Sequence, residues 1–522
     1  MRTEQIKFFA FLILLATGCE ASTYYIDFNG GDDASSGIAK GSPWKRCPAM
    51  PGFKGAYAHK VGDIFIFKGG TVWPAEALPL AITLSGAAGY PDSYTTDHSW
   101  YSGLLWSQPT MDGKLGSRTI LSCSSAEFFA INDLRFIDAG SLTANGVKGT
   151  DISDCGDFEI THNTFAMQSW GGLYIWTSKP KTFNNILIHH NDISRTAFGI
   201  RVVPSGAASI IRNVQIYNNS LHDFHSQLSG DVHGDGIQHY CSPDNAASFD
   251  RYIDGFKIYN NTFTGDFTQV AGSWGAMTAL VYLSGASKGV EVYNNLFAPQ
   301  ITGKQTPNFF ESFISLRDNP SRGGFHKIYN NTFVTQVPDG QGAALLEDDL
   351  RCPSPNLQVK NNIFYGFQWP FDLRSLTHTF NNNDLQFTRS VGKWNGKWVD
   401  TFSAWQSLGN DINGISADPK FVSPTDYHLL LNSPCLNRGA LLPTAYAWDG
   451  AGIARPQGTS FDIGAFERVE AVAANPTGIS PQAQLGDAAT PSTQGKTFGI
   501  NGRRVQTDPK AKVTPGAWIH FK

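Results

Sequence analysis

The feature that most constrains this chain is a recurring pair of polar residues, usually Asn-Asn, with an apolar residue within the next two positions. It occurs as His162-Asn163-Thr164-Phe165, His190-Asn191-Asp192-Ile193, Asn218-Asn219-Ser220-Leu221, Asn260-Asn261-Thr262-Phe263, Asn294-Asn295-Leu296-Phe297, Asn330-Asn331-Thr332-Phe333 and Asn361-Asn362-Ile363-Phe364. Asn382-Asn383-Asp384-Leu385 is a fainter copy. A spacing of about 21 to about 42 residues fits one solenoid coil per repeat, with insertions to one side. Asn tolerates the left-handed backbone of a sharp corner, and stacked coils lie one strand spacing apart, so corner asparagines can hydrogen-bond in a ladder. The segments before the corners, such as Val214-Gln215-Ile216-Tyr217 and Phe256-Lys257-Ile258-Tyr259, alternate as half-buried strands do. The units lack a sustained 3.6-residue period and are rich in Asn, Gly and β-branched residues, which argues against a helical repeat. Asn-Asn-Thr and Asn-Asn-Ser also match glycosylation acceptors, but their recurrence at coil spacing favours a ladder.

A solenoid can hold 522 residues in a single body. Only 16% of residues are charged and the formal net charge is -4, so the chain has no basic field for DNA or RNA. Residues 1–22 read as a signal peptide: Arg2 and Lys7 precede the apolar run Phe8 to Ala16, then small residues around Thr17, Gly18 and Cys19. Two readings of its end stay open, lipidation of Cys19 and ordinary cleavage near Ala21. The apolar run is short for a membrane span and no later run is longer, so no transmembrane segment is expected. Cys47, Cys123, Cys155, Cys241, Cys352 and Cys435 are scattered without CxxC spacing, which leaves a zinc site unsupported. They suit disulfides in an exported protein or small buried hydrophobes in a solenoid core, with no pairing readable.

Three groups of residues carry a family resemblance. Tyr24-Tyr25-Ile26-Asp27, Asn29-Gly30-Gly31-Asp32-Asp33 and Gly41-Ser42-Pro43-Trp44 resemble the opening of secreted bacterial β-helix proteins of the pectate-lyase-like superfamily. Gly62-Asp63-Ile64-Phe65-Ile66-Phe67-Lys68-Gly69-Gly70 resembles their first coil. Asp418-Pro419-Lys420-Phe421, Tyr427-His428-Leu429, Ser433-Pro434-Cys435, Arg455-Pro456 and Asp462-Ile463-Gly464-Ala465-Phe466-Glu467 resemble their closing segment. The resemblance implies an all-β, right-handed parallel β-helix over residues 23–467. It does not select a substrate, since that superfamily holds lyases, hydrolases, epimerases and non-enzymatic adhesins. Residues 468–494, rich in Ala, Pro, Thr, Gln and Ser, read as a linker. Residues 495–522, with Asn501-Gly502-Arg503 and Pro515-Gly516 before a last strand, resemble a shortened C-terminal sorting module, a short β tail.

On such a fold the functional residues come from neighbouring coils. If Ile175, Ile200, Ile237, Val281 and Ile314 face inward, alternation turns Tyr174, Trp176, Arg201, Gln238, Tyr240, Tyr282 and Arg317 outward. Guanidinium forks beside aromatic platforms suit an anionic sugar chain, the alternative being an ordinary adhesin wall. The densest chemistry runs from His222-Asp223-Phe224-His225 through Asp231, His233, Asp235, Gln238 and His239 to Tyr240. His239 falls at an inward position and reads as a hydrogen-bonded core residue, while His222 and His225 suit a loop cap.

A lyase or epimerase acting on a uronate needs its carboxylate neutralised and a base for the adjacent proton. Arg201 can neutralise, His233 can act as base, and Tyr240 can protonate the leaving oxygen. Asp223, Asp231 and Asp235 could instead hold Ca2+. Hydrolysis needs two carboxylates, which Asp235 with Asp231, or either with Glu347, could supply; Glu347-Asp348-Asp349 otherwise reads as a solvated acidic turn. The expectation is a monomeric, secreted or surface-anchored polysaccharide lyase acting on an acidic polysaccharide. A glycoside hydrolase, a uronan C5-epimerase and a non-catalytic adhesin or carbohydrate-binding protein are the alternatives.

Overall fold

The computed structural model describes residues 21–141, 147–224, 234–241, 250–267, 277–300, 310–317, 325–335, 342–347 and 356–469. Residues 1–20 of the expected signal peptide and the 495–522 tail module lie outside the described residues, as do His225, Asp231, His233 and nearly all of the linker.

The chain winds as a right-handed parallel β-helix. One wall is a 12-stranded sheet in which each strand lies beside that of the next coil, from Thr23–Ile26 and Ile64–Gly69 to Leu357–Lys360 and Thr379–Asn381. This wall holds the alternating segments that precede the Asn corners. Past the corner, Thr164–Thr177 and Asp192–Pro204 run on as long bent strands; in later coils the same path is split, as in Ser220–His222 and Gly234–Tyr240. Met277–Ser284, Phe310–Leu316 and Ala343–Glu347 stack on Gly234–Tyr240 in parallel register.

At each corner the two residues of the pair divide the work. The first, His162, His190, Asn218, Asn260, Asn294, Asn330, Asn361 or Asn382, takes a left-handed backbone with φ between 53° and 59°. The second forms the ladder. The Asn163 N–H donates to Oδ1 of Asn191 at 2.9 Å, and the relation repeats through Asn219, Asn261, Asn295, Asn331, Asn362 and Asn383. Each amide also donates from Nδ2 to a backbone carbonyl, so buried polar groups are satisfied along the stack. Asp411 ends the ladder, its carboxylate accepting from the N–H and Nδ2 of Asn383 and from Nε1 of Trp405.

Apolar residues two positions past the ladder asparagine stack as well. Phe263, Phe297, Phe333 and Phe364 lie face to face with centroids 4.7 to 4.9 Å apart. Such contacts contribute about 0.5–1.5 kcal/mol each beyond burial. The open ends are covered: Trp44 stacks on Tyr24 at the first coil, and Trp405, from a short helix capped by Thr401, packs on Phe371, Phe380 and Trp394 at the last.

The closing segment is not a further coil. After the antiparallel pair Phe421–Ser423 and Asp426–Leu429 it returns along the outside of the corner, where the Gly464 N–H donates to Asn361 O and the Ala465 N–H to Thr332 Oγ1. Its buried Arg455 pairs with Glu467 at 3.2 Å. Cys123 and Cys155 form a disulfide between adjacent coils, while Cys47, Cys241 and Cys435 are free.

Candidate active site

Alternation places the core column correctly: Ile175, Ile200, Ile237, Val281 and Ile314 are fully buried. Their outward neighbours follow in register, with Tyr174 opposite Arg201, Arg201 opposite Gln238, and Gln238 opposite Tyr282. Gln238 and Tyr282 are buried on this face, whereas Tyr174, Trp176, Arg201 and Tyr240 are half-buried.

Asp235 reaches the same face by a different route. Counting by twos from Ile237 turns it inward, yet Gln238 donates from Nε2 to Asp235 Oδ2 at 2.9 Å. The contact means that the backbone departs from regular alternation here: pairing with Met277–Ser284 shifts register at Gly234/Asp235, and at Gly236 a Cβ would meet Leu280 O at 2.4 Å and Phe263 Cε1 at 2.8 Å. Gly199, in the preceding coil, is equally tight, its Cβ position lying 2.4 Å from Gly236 O. The register shift breaks the two-residue period, and the tightly packed glycines beside it leave no room for side chains.

Arg201 is the centre of the cluster. Its guanidinium carbon lies 5.1 to 5.3 Å from the ring centroids of Trp170, Tyr174, Phe198 and Tyr240. Burial lowers its pKa, opposed by the nearby acidic groups of Tyr174 and Asp235. Among the described residues it forms no ion pair, and its Nε is a buried donor without a hydrogen-bond partner. Beside it stands a residue that sequence reasoning missed. Lys148 holds its ammonium 4.1 Å from the Tyr174 centroid and 4.6 Å from that of Trp176. Asp151 tethers this pair, 3.3 Å from Lys148 Nζ and accepting from Trp176 Nε1 at 2.6 Å. Burial holds the Lys148 pKa below the ordinary lysine value; Asp151 opposes that shift and Arg201 adds to it. Burial raises the Tyr282 hydroxyl to about 12, with Asp235 adding to the shift and Arg317 opposing it. Arg317 thus belongs to the electrostatics of this face.

Other expected residues go elsewhere. Asp223 accepts from the Asp266 N–H and pairs with His222, which also reaches Asp192. Those contacts raise the His222 pKa to about 9. Asp235 already accepts from Gln238 and from the Ala279 N–H. Among the described residues no three His, Cys, Asp or Glu side chains are grouped to hold a metal, and Asp231, the third residue expected with Asp223 and Asp235, lies outside them. Glu347 is buried, not a solvated turn residue. It accepts from the Ser375 N–H at 2.9 Å and from His378 Nε2 at 2.9 Å, and lies three coils from Asp235. That is about 14 Å at one strand spacing per coil. Two hydrolytic carboxylates work at about 5 to 9.5 Å, so this pairing fails. His239 is a core residue, as its inward position implies, with Nε2 3.0 Å from Ala286 O.

No curated protein matches the chain. Among solved structures, the pectate lyase Pel9A superposes with a TM-score of 0.44 at 14% identity, covering 86% of this chain and 96% of that one. A rhamnogalacturonan lyase gives 0.36 at 12% identity, with 77% and 91% covered. A GH136 lacto-N-biosidase from Eubacterium ramulus gives 0.27 at 11%, with 65% and 68% covered. Residues 111–297 match the family described as the right handed beta helix region. With parallel ladders extending that pattern from Thr23 to Asn381, the chain is a right-handed parallel β-helix.

Proposed function

We propose that this protein is an extracellular carbohydrate-active enzyme that cleaves an acidic, uronate-containing polysaccharide by β-elimination. The observation that carries the reading is the Arg201 guanidinium, walled by four aromatic rings, without an ion pair among the described residues, and next to a lysine of lowered pKa. A guanidinium fork binds a carboxylate in two parallel hydrogen bonds, and the aromatic faces accept the sugar ring. Neutralising that carboxylate acidifies the proton on the adjacent carbon.

Lys148, in its neutral form, is the base we assign; His233, the base expected from sequence, lies outside the described residues. The base takes the proton, the C–H electrons form the new C=C bond, and the β C–O bond breaks. Tyr240 returns a proton to the departing oxygen. Gln238, held by Asp235, lies in register between Arg201 and Tyr282, and Arg317 extends the cationic side.

Among the described residues, carboxylate placement favours elimination over hydrolysis; Asp231, the other expected partner of Asp235, lies outside them. Ile152 lies opposite Ile175, which sets Asp151 one coil before Tyr174 and three before Gln238. That separation of about 14 Å from the Asp235 coil exceeds either hydrolytic geometry. Export is part of the same proposal, supported by the signal-like N-terminus and by the Cys123–Cys155 disulfide, which suits an oxidising compartment.

The test is incubation with polygalacturonate, alginate and glycosaminoglycans, followed by ultraviolet absorbance of the unsaturated uronate and by reducing ends. New unsaturation that vanishes in Lys148→Ala and Arg201→Ala supports elimination. Reducing ends without unsaturation would indicate a hydrolase, inverted C5 stereochemistry without cleavage an epimerase, and binding alone an adhesin.

A further inference from the structure

The outward column that carries Arg201 does not stop at Tyr282. It continues in register through Ser315, Leu346 and Asp372 to Lys393. Lys393 is therefore six strand spacings from Arg201, about 29 Å along the solenoid axis. There the coil ends in a hairpin. Trp394-Asn395-Gly396-Lys397 turns with φ of 51° at Asn395 and 70° at Gly396, the pair of positive angles that a tight two-residue hairpin requires. The returning strand sets Trp398 opposite Lys393 on the same face.

Four side chains converge on that hairpin. Trp369 and Trp398 stand nearly perpendicular, at 82° with centroids 5.9 Å apart, and Trp398 is 49% exposed. The exposed Arg389 lies 5.6 Å from the Trp369 centroid and 5.9 Å from that of Trp398. Lys393 sits 5.3 Å from the Trp398 centroid and is neutralised by Asp372 at 2.8 Å. Arg389 forms no ion pair among the described residues. An exposed indole face beside an unneutralised guanidinium repeats, at the far end of one face, the chemistry around Arg201.

We infer that Trp369, Trp398 and Arg389 form a second, non-catalytic subsite that holds a distant carboxylated sugar of the same polysaccharide chain bound at Arg201. The occupant follows from charge complementarity and from the continuous register joining the two sites. A polymer crossing both would be held at two points, so its effective affinity exceeds that of a fragment filling one. This inference rests on the proposed acidic-polysaccharide reading, but it concerns binding and not bond cleavage.

The experiment is affinity electrophoresis of the full chain through gels containing polygalacturonate, alginate or a glycosaminoglycan. The proteins run are the wild type, Arg389→Ala/Trp398→Ala and Arg201→Ala. For a polymer that retards the wild type, the double variant is expected to bind roughly fivefold to tenfold more weakly. Arg201→Ala should keep part of the retardation, and the combined triple variant should lose it. A thermal midpoint for the double variant equal to wild type shows that folding is not the cause, as the exposure of both residues leads one to expect. Retardation unchanged by the double substitution overturns the subsite, as does a wild type retarded by none of the polymers. Retardation that the double variant weakens, without unsaturated product on any polymer, supports the subsite and sinks only the lyase reading.

Discussion

Gln238 donates a hydrogen bond to Asp235, three positions earlier in the same strand, across a bend that spans the register shift at Gly234/Asp235 and the tightly packed Gly236. In a regular strand those side chains face opposite ways. The site thus depends on a residue with no side chain to contribute. Gly236→Ala should force the Leu280 carbonyl or Phe263 to move. A loss of roughly 1–3 kcal/mol is expected, the usual range for overpacking. Urea denaturation monitored by tryptophan fluorescence reads it, and an unchanged midpoint would show that the bend tolerates a methyl group.

Arg201→Lys keeps the charge and loses the fork. Replacing two charge-assisted hydrogen bonds by a point charge should cost roughly 1.5–3 kcal/mol of transition-state stabilisation. That corresponds to about 10- to 100-fold in kcat/KM on a uronate polymer. Full activity in Arg201→Lys would remove the bidentate contact from the mechanism.

Lys148 acts as a base only when neutral, so the rate should climb as pH rises through its pKa. Since burial lowers that pKa, the rising limb belongs below the ordinary lysine value of about 10.4. Lys148→Ala should lower kcat by about 100- to 10,000-fold and flatten the limb. A profile in Lys148→Ala that keeps its shape, merely scaled down, would assign the titration to another group, His233 being the first to examine.

Chelation separates the two ways of neutralising a uronate. In the proposed mechanism Arg201 supplies the cation, so turnover is expected to survive EDTA. Activity lost to EDTA and regained with Ca2+ would transfer that role to a metal, with Asp223, Asp231 and Asp235 the first residues to substitute.

Asn295 lies mid-ladder, accepting from Asn261 and donating to Asn331, Ile258 O and Tyr293 O. Asn295→Ala strands several buried partners at about 1–3 kcal/mol each, so a drop of several kcal/mol is expected. The denaturant midpoint should fall with little change in slope. A shift under 1 kcal/mol would mean that neighbouring rungs re-pair around the gap.

The corner was legible because one residue pair repeats with one geometry, and the outward column because alternation holds along Tyr174, Arg201, Gln238 and Tyr282. Alternation fails at the glycine bends. It therefore misplaces Asp235 and does not reach Trp170 and Phe198, which precede Gly171-Gly172 and Gly199. Lys148 was missed because its coil has no Asn-Asn pair to set a register. Glu347 was read as solvated from its charge, although it lies two residues past the buried Leu345 and so shares its inward parity. Inside, it is compensated by His378, a partner 31 residues away that no local pattern announces.

Successive rungs of the ladder are separated by 28, 42, 34, 36, 31 or 21 residues, yet the bonds stay between 2.9 and 3.0 Å. The corner works as a spine indifferent to how much chain is strung between its vertebrae. A lineage carrying such a spine can lengthen or exchange the opposite side of a single coil while every other coil keeps its seat. Specificity for a new polymer then becomes a matter of swapping a loop, and the scaffold need not be reinvented.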